Sequence, residues 1–465
     1  MDALLCDELL QEIFRRLPPS SSAAVSLVSK RWLSLLRSST TSLSLLLHQP
    51  HVSPALSSFL SQHPYLSALS VNAAASSTAA SDHVIRLVAS SCPNLSHLRF
   101  LAGPVSPFSL FSLSSSCPRL SSLDVALCRP LSFLWLAPFE NLKRLSVQSV
   151  ANSSDSEYLK FGNSNLLDEF PDSELNLESL CLSGIGSGDY GLTWVWRNCR
   201  KIKTLKLKRC EGVGDNASFS GFLQRLEGLE EVELRSCRPI ANGVLLKLAE
   251  NCVSLNSFLL HDGGSKDGLL QFITETKCSL QKLDFRLPLD LDNRHLNAIA
   301  ESFRGLTILR LQSCCLVTGE GLRRVGRAVG GGVDELALVN CDVVERESGL
   351  LATLGQNMKR LRKLDLSYNE MLVDKELMSM LVSCNGLKEL RLRGCNRLTN
   401  VAMASMTKSC KGLERVDIMN CCGIEAEAVE QFVVNSAALT HLQVEETKLS
   451  SVAIMWASNH FIQLI

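Results

Sequence analysis

Along this chain one short pattern of apolar and polar positions recurs fifteen times: an apolar residue, two variable ones, then Leu-x-Leu or a close equivalent. Clear copies are Ile202-x-x-Leu205-x-Leu207, Leu306-x-x-Leu309-x-Leu311, Leu387-x-x-Leu390-x-Leu392 and Leu413-x-x-Val416-x-Ile418. Alternation with period two predicts a short strand that turns its leucines to one face and its x residues to the other. Between the phrases, apolar residues lie three and four apart. Val244-Leu245-Leu246-Lys247-Leu248-Ala249 and Glu376-Leu377-Met378-Ser379-Met380-Leu381-Val382 are such stretches, and this spacing predicts helices. The phrases begin at Leu66, Leu95, Leu120, Leu142, Leu177, Ile202, Leu229, Leu255, Leu280, Leu306, Val333, Leu361, Leu387, Leu413 and Leu439. Successive starts are 25 to 28 residues apart from Leu177 onward and ragged before it. One strand and one helix per period cannot bury their apolar faces alone, so the units must stack.

This consensus is similar to that of the leucine-rich repeat, in its plant-type cysteine-containing subclass. The resemblance implies an α/β solenoid, a horseshoe with parallel inner strands and outer helices. Such arrays present an extended recognition surface rather than a deep catalytic pocket. The 18 cysteines follow the repeat. Cys117 and Cys128, Cys199 and Cys210, Cys384 and Cys395, and Cys410 and Cys421 stand eleven residues apart, each pair bracketing a strand phrase. Their recurrence predicts small buried hydrophobes with a weak S–H donor. No Cys-x-x-Cys occurs, and the neighbours Cys314-Cys315 and Cys421-Cys422 read as repeat positions rather than metal ligands.

Charge narrows the choice further. Lys+Arg and Asp+Glu both number 47, so the chain carries no overall basic footprint of a nucleic-acid binder. Residues 1–8 hold three acids and no basic stretch, and no apolar run approaches the length of a membrane span. The expectation is a soluble intracellular protein of the nucleus or cytoplasm, with no nucleic-acid or membrane partner. Phosphate-loop, nucleophile-elbow and zinc-protease motifs do not occur. Hence no catalytic residue, cofactor or metal is expected.

The first 44 residues do not follow the repeat. Leu5, Leu9, Leu10, Ile13, Phe14 and Leu17 fall at helical spacing, Pro18-Pro19 ends that helix, and a second apolar stretch runs from Ala23 to Leu36. The sequence Leu5-Cys6-Asp7-Glu8-Leu9-Leu10-Gln11-Glu12-Ile13-Phe14, followed by Leu27-Val28-Ser29-Lys30-Arg31-Trp32, resembles an F-box. Cys6 stands where that family usually has proline. Joined to the repeats, the segment makes the chain resemble F-box leucine-rich-repeat proteins. The resemblance implies docking on a Skp-family adaptor and through it a cullin scaffold, for ubiquitination of an unknown protein substrate. Leu5, Leu9, Leu10, Ile13, Leu17, Pro18, Val28 and Trp32 are the residues it places against the adaptor. The competing expectation is a repeat scaffold or ligand receptor whose front helices only cap the array.

Organised this way, residues 1–44 form the helical module, 45–449 an array of about fifteen repeats, and 450–465 a C-terminal cap. An acidic insertion at 151–174 interrupts the array and carries Asp155, Glu157, Asp168, Glu169, Asp172 and Glu174 against Lys160. The x positions and those two further on give candidate substrate-binding residues: Lys206, Lys208, Arg235, Arg286, Arg310 and Arg391. Such a cationic stretch suits an acidic or phosphorylated segment. Neighbouring rungs of opposite sign, Lys206 with Glu233, Asp284 with Arg310, and Arg391 with Asp365 and Asp417, are expected to pair with each other in preference to binding a ligand.

Overall fold

The computed structural model describes residues 5–18, 21–47, 54–73, 77–150, 174–226, 228–287 and 290–465. The chain divides into two compact units, Met1–Leu226 and Glu227–Ile465.

The first unit opens with three helices, α1 (Asp7–Arg16), α2 (Ser22–Ser26) and α3 (Lys30–Ser39). A repeat region follows. Its strands are β1 (Ser42–Leu47), β2 (Ala68–Ala73), β3 (His97–Pro104), β4 (Ser122–Cys128), β5 (Arg144–Val150), β6 (Ser179–Ser183) and β7 (Thr204–Lys208). Between or after them stand α4 (Pro54–Ser61), α5 (Thr78–Ser91), α6 (Pro107–Ser116), α7 (Thr193–Asn198) and α8 (Asn216–Arg225). Each strand pairs in parallel with the next in sequence.

The second unit is more regular. It contains β8 (Glu231–Arg235), α9 (Arg238–Asn251), β9 (Ser257–His261), α10 (Lys266–Glu275), β10 (Lys282–Arg286), α11 (Asn293–Ser302), β11 (Ile308–Gln312) and α12 (Gly319–Val329). Then come β12 (Glu335–Val339), α13 (Asp342–Arg346), α14 (Leu350–Asn357), β13 (Lys363–Asp365), α15 (Asp374–Leu381), β14 (Glu389–Arg391) and α16 (Asn400–Ser409). It closes with β15 (Arg415–Asp417), α17 (Ala426–Asn435), β16 (His441–Gln443), α18 (Ser451–Asn459) and β17 (Gln463–Leu464). Consecutive strands again pair in parallel. A parallel neighbour needs a crossover, and the helices supply it. The expected strand–helix solenoid with a small all-helical module before it is therefore the observed architecture.

The leucines of the phrase do what the period required. Leu205 and Leu207 in β7, Leu309 and Leu311 in β11, Leu390 in β14 and Leu392 just beyond it are all buried. Helix starts are fixed by side-chain caps: Asp215, Ser265, Asp292, Thr399 and Ser450 each accept a backbone N–H of the helix that follows.

One residue beyond β8 to β12, and three residues beyond β13 to β15, the backbone turns left-handed. Ser236, Asp262, Leu287, Ser313, Asn340, Tyr368 and Asn420 have φ between 49° and 61°, and Gly394 has 70°. Such φ is disfavoured for residues with a Cβ. The return is visible in the hydrogen bonds: the N–H of Ser236, Asp262, Leu287, Ser313 and Asn340 each donates to a carbonyl of the next repeat at 2.8–3.0 Å. The left-handed turn carries the ladder one step further before the chain swings out to its helix.

Cysteines occupy two recurring places, the C-terminal end of a helix and the turn after a strand. Cys278 donates to the Cys252 carbonyl at 2.8 Å, Cys395 to Leu366 at 3.2 Å and Cys421 to Leu392 at 3.0 Å. These S–H groups tie one repeat to the one before it. Burial pushes the thiols of Cys199, Cys252 and Cys410 up to about 12. Cys6, Cys315 and Cys422 are exposed, Cys128 and Cys181 half-buried, and the other thirteen buried. Alkylation of the folded chain at mildly alkaline pH is therefore expected to modify Cys6, Cys315 and Cys422 first, with the thirteen buried thiols reacting only after denaturation. Peptide mapping that finds Cys252 or Cys395 labelled as fast as Cys422 would contradict the repeat stacking.

Candidate functional site

Two surfaces gather the residues singled out from the sequence. The first lies on the helical module. Leu10 and Phe14 of α1, Val25 of α2 and Leu35 of α3 form its small core, with Leu5, Trp32 and Leu36 partly buried against them. The Phe14 and Trp32 rings lie 5.3 Å apart at a tilt of 56°. Ser29 caps α3 by accepting the Trp32 N–H at 3.1 Å. Arg31 reaches back to Asp7 at 2.6 Å and to the Leu5 carbonyl at 2.9 Å, holding the ends of the module together.

Of the eight residues the resemblance pointed to, Leu10 lies in the core and Leu5 and Trp32 at its margin. Leu9, Ile13, Leu17, Pro18 and Val28 are exposed. Leu27, absent from that set, is exposed as well. Its neighbourhood with Val28 in the turn between α2 and α3 was the available signal. The first helix thus has two apolar faces. Leu10 and Phe14, four apart, turn inward, and Leu9 and Ile13, also four apart, turn outward.

The second surface is the strand face of the second unit. Arg286, Arg310 and Arg391 come together there around one hollow of about 280 Å³, with Ala337 and Val339 of β12 between them. Arg235 does not line it, and Lys206 and Lys208 belong to the first unit. Tyr368 and Arg393, at and beyond the turns that leave β13 and β14, also line the hollow. The strand pattern alone did not single out Tyr368, whose place is set by its left-handed turn.

Each arginine closes on a carboxylate. Arg286 binds Asp284 with two parallel bonds of 2.8 and 2.7 Å. Arg393 donates to Asp417 at 3.0 Å. Arg310 pairs with Glu335, and Arg391 with Glu389 at 2.6 Å. The pairing expected from neighbouring rungs is thus redirected. Asp284 and Arg310 stand opposite in register, as do Asp365 and Arg391, yet neither pair forms the ion pair. Glu335 and Glu389, two positions before the x residues on the same face, take the arginines instead. Arg235 likewise pairs with Glu233 of its own strand.

Glu389 is the busiest of these acids. Arg391 and Arg415 bind it, and Lys363 stands 4.0 Å away. Burial opposes its charge, but the hydrogen bond from Arg415 and the field of Arg391 outweigh this and hold its carboxyl below the ordinary value. Among the described residues no group of His, Cys, Asp and Glu is arranged to hold a metal ion, and no helix is long and apolar enough to cross a membrane. The acidic insertion at 151–174 lies outside the described residues, except for Glu174, which faces Lys201 at 3.7 Å.

With this geometry in view, residues 3–41 match the F-box domain family. Among solved structures, the chain is similar to one titled as the complex of Rad7 and Elc1 in yeast, at 14% identity and a TM-score of 0.37, covering 99% of this chain and 92% of that one. It is similar also to a leucine-rich-repeat protein of Leptospira interrogans, at 14% identity and a TM-score of 0.38, covering 99% and 98%.

The depressed Glu389 carboxyl has a consequence in acid. A group whose pKa is lowered by folding contributes stability that is present above its unfolded value and lost as pH falls through the folded one. Glu389→Gln is expected to cost about 1 kcal/mol at neutral pH, as three cations lose their shared partner. Below about pH 4.3, the ordinary glutamate value, the difference from wild type should shrink. Thermal melts across that range test it, and a gap that stays constant would refute the assignment.

Proposed function

We propose that this chain is the substrate-recognition subunit of a cullin-type ubiquitin ligase. Its F-box docks on a Skp-family adaptor that joins it to a cullin scaffold, and its repeats hold a protein target for ubiquitination and degradation. In this reading the chain performs no chemistry itself and works in the nucleus or cytoplasm. The recurring buried cysteines support placing its repeats in the plant-type cysteine-containing subclass.

One observation carries the proposal. A cap would bury its apolar residues on the first repeat. Here Leu9 is 54% exposed, Ile13 44%, Leu17 38% and Val28 57%. Large apolar side chains left uncovered on one helix face and in the turn beside α3 mark an interaction site. Helices presenting leucine and isoleucine anchors suit a partner built of helices, which would receive them in an apolar groove. The exposed face also argues against the scaffold alternative, in which the same residues have no task.

Co-purification of the chain with a Skp-family adaptor tests this reading, alongside an Ile13→Asp, Leu17→Asp double variant. Both positions are exposed, so the variant should fold, and two charges in the interface should weaken capture by at least about a hundredfold. Stoichiometric capture lost in the variant supports the ligase reading. A well-folded wild type that ignores the adaptors offered would overturn it in favour of a free-standing repeat binder.

A further inference from the structure

The hollow on the strand face holds four arginines, and on charge alone it would be assigned to an acidic or phosphorylated ligand. Its pairing says otherwise. Each arginine is already closed on a carboxylate, and Asp284, Glu335, Glu389 and Asp417 are buried. An anion that engaged Arg286 or Arg393 would have to pull the arginine from its partner and leave buried Asp284 or Asp417 without its cation, which is strongly unfavourable.

Asp365 is different. It lines the hollow and has no ion pair among the described residues. One of its oxygens accepts the Ser367 N–H at 3.0 Å, leaving the other for a ligand. On the neighbouring strand the position in register with Asp365 is Ala337, whose small side chain is what makes the hollow. The walls past Ala337 are Val339 and the half-exposed ring of Tyr368. At matching places in the loops after β11 and β13 stand exposed Leu316 and Met371.

We propose that this hollow receives a lysine or arginine side chain from a peptide segment of the target protein, its charged end on Asp365 and its stem over Ala337 and the Tyr368 ring. An aliphatic stem beneath a charged head matches Ala337 and Val339 with Asp365, the lining carboxylate that has no ion pair among the described residues, and an aromatic face favours a cation beside it. Apolar residues flanking the basic one would meet Leu316 and Met371. The assignment rests on the reading of the repeats as the target-binding part of the chain. It gives that target a basic recognition residue, the opposite sign to the acidic segment expected from the sequence.

Fluorescence anisotropy of the full chain with two labelled peptides of equal length, one alternating arginine and leucine and one alternating glutamate and leucine, tests the assignment. The basic peptide should bind, and Asp365→Asn should weaken it about tenfold, the scale of one lost charged hydrogen bond. Asparagine can still accept the Ser367 N–H, so the turn is kept, and a matching thermal melt checks this. Ala337→Leu, which fills the hollow, should weaken the same peptide while leaving adaptor capture intact. Tighter binding of the glutamate peptide, no binding of either, or indifference of the basic peptide to both substitutions would overturn the proposal. Adaptor capture reads only the helical module, so its failure with peptide binding intact would remove the ligase reading alone.

Discussion

Everything in this fold depends on the inability of one repeat to bury its own leucines. A strand of five residues and a helix of ten leave their apolar faces open until the next repeat covers them. Register between neighbours is therefore not free to drift. A slip of one residue would turn Leu309 and Leu311 outward and Arg310 inward. The left-handed residues after the strands belong to the same constraint. At Leu287, Ser313 and Asn340 a disfavoured φ is accepted because each N–H then reaches the neighbouring repeat, extending the ladder that fixes the register. Cysteines at the ends of strands and helices add a third tie, small enough to fit the narrow interior and able to donate to a carbonyl across the seam.

With the leucines committed inward, alternation fixes the other face as a lattice of polar side chains at strand spacing, about 4.8 Å from rung to rung. Opposite charges at that separation find one another. The lattice thus becomes largely self-satisfied, and its power to discriminate lies in its irregular positions. Ala337 is such a position because it is small, and Asp365 because the surrounding cations are already taken. A count of arginines would assign the hollow to anions, whereas the ion pairs of its arginines leave Asp365, among the described residues that line it, as the carboxylate without one.

Much of the architecture was legible in the residues because the repeat states it over and over. The fifteen phrases fall on strands β2 to β16. The outermost strands were harder to read. Before β1, Thr40 stands where the phrase has its leading apolar residue, and β17 is only two residues long. The pairing of charges was not legible, for a geometric reason. The x position and the one two residues on form the exposed ladder, but the residue two before x shares that face. Glu335 and Glu389 sit there, and they draw Arg310 and Arg391 away from the rung neighbours that sequence adjacency offered. Tyr368 was hidden differently, since its direction comes from a turn rather than from strand alternation.

In the helical module the wide apolar stripe of α1 had two readings, a core face or a docking face. The structure divides it by helical geometry: Leu10 and Phe14 close on Val25 and Leu35, while Leu9, Ile13 and Leu17 stay outside. A module of under 40 residues has too little interior to take both sets. Cys6 fits this picture. Its φ of −71° lies within the range proline would impose, so the helix begins with the geometry that proline would preset even though a cysteine occupies the place. What the substitution removes is restriction of the unfolded chain, an effect of about 0.4–1 kcal/mol. The outward face is untouched by it. A small core on one side and uncovered leucine and isoleucine on the other make the module dependent on a neighbour, as each repeat depends on the next. The difference is that the repeats find that neighbour within the chain, whereas under the proposed function the helices find it in an adaptor.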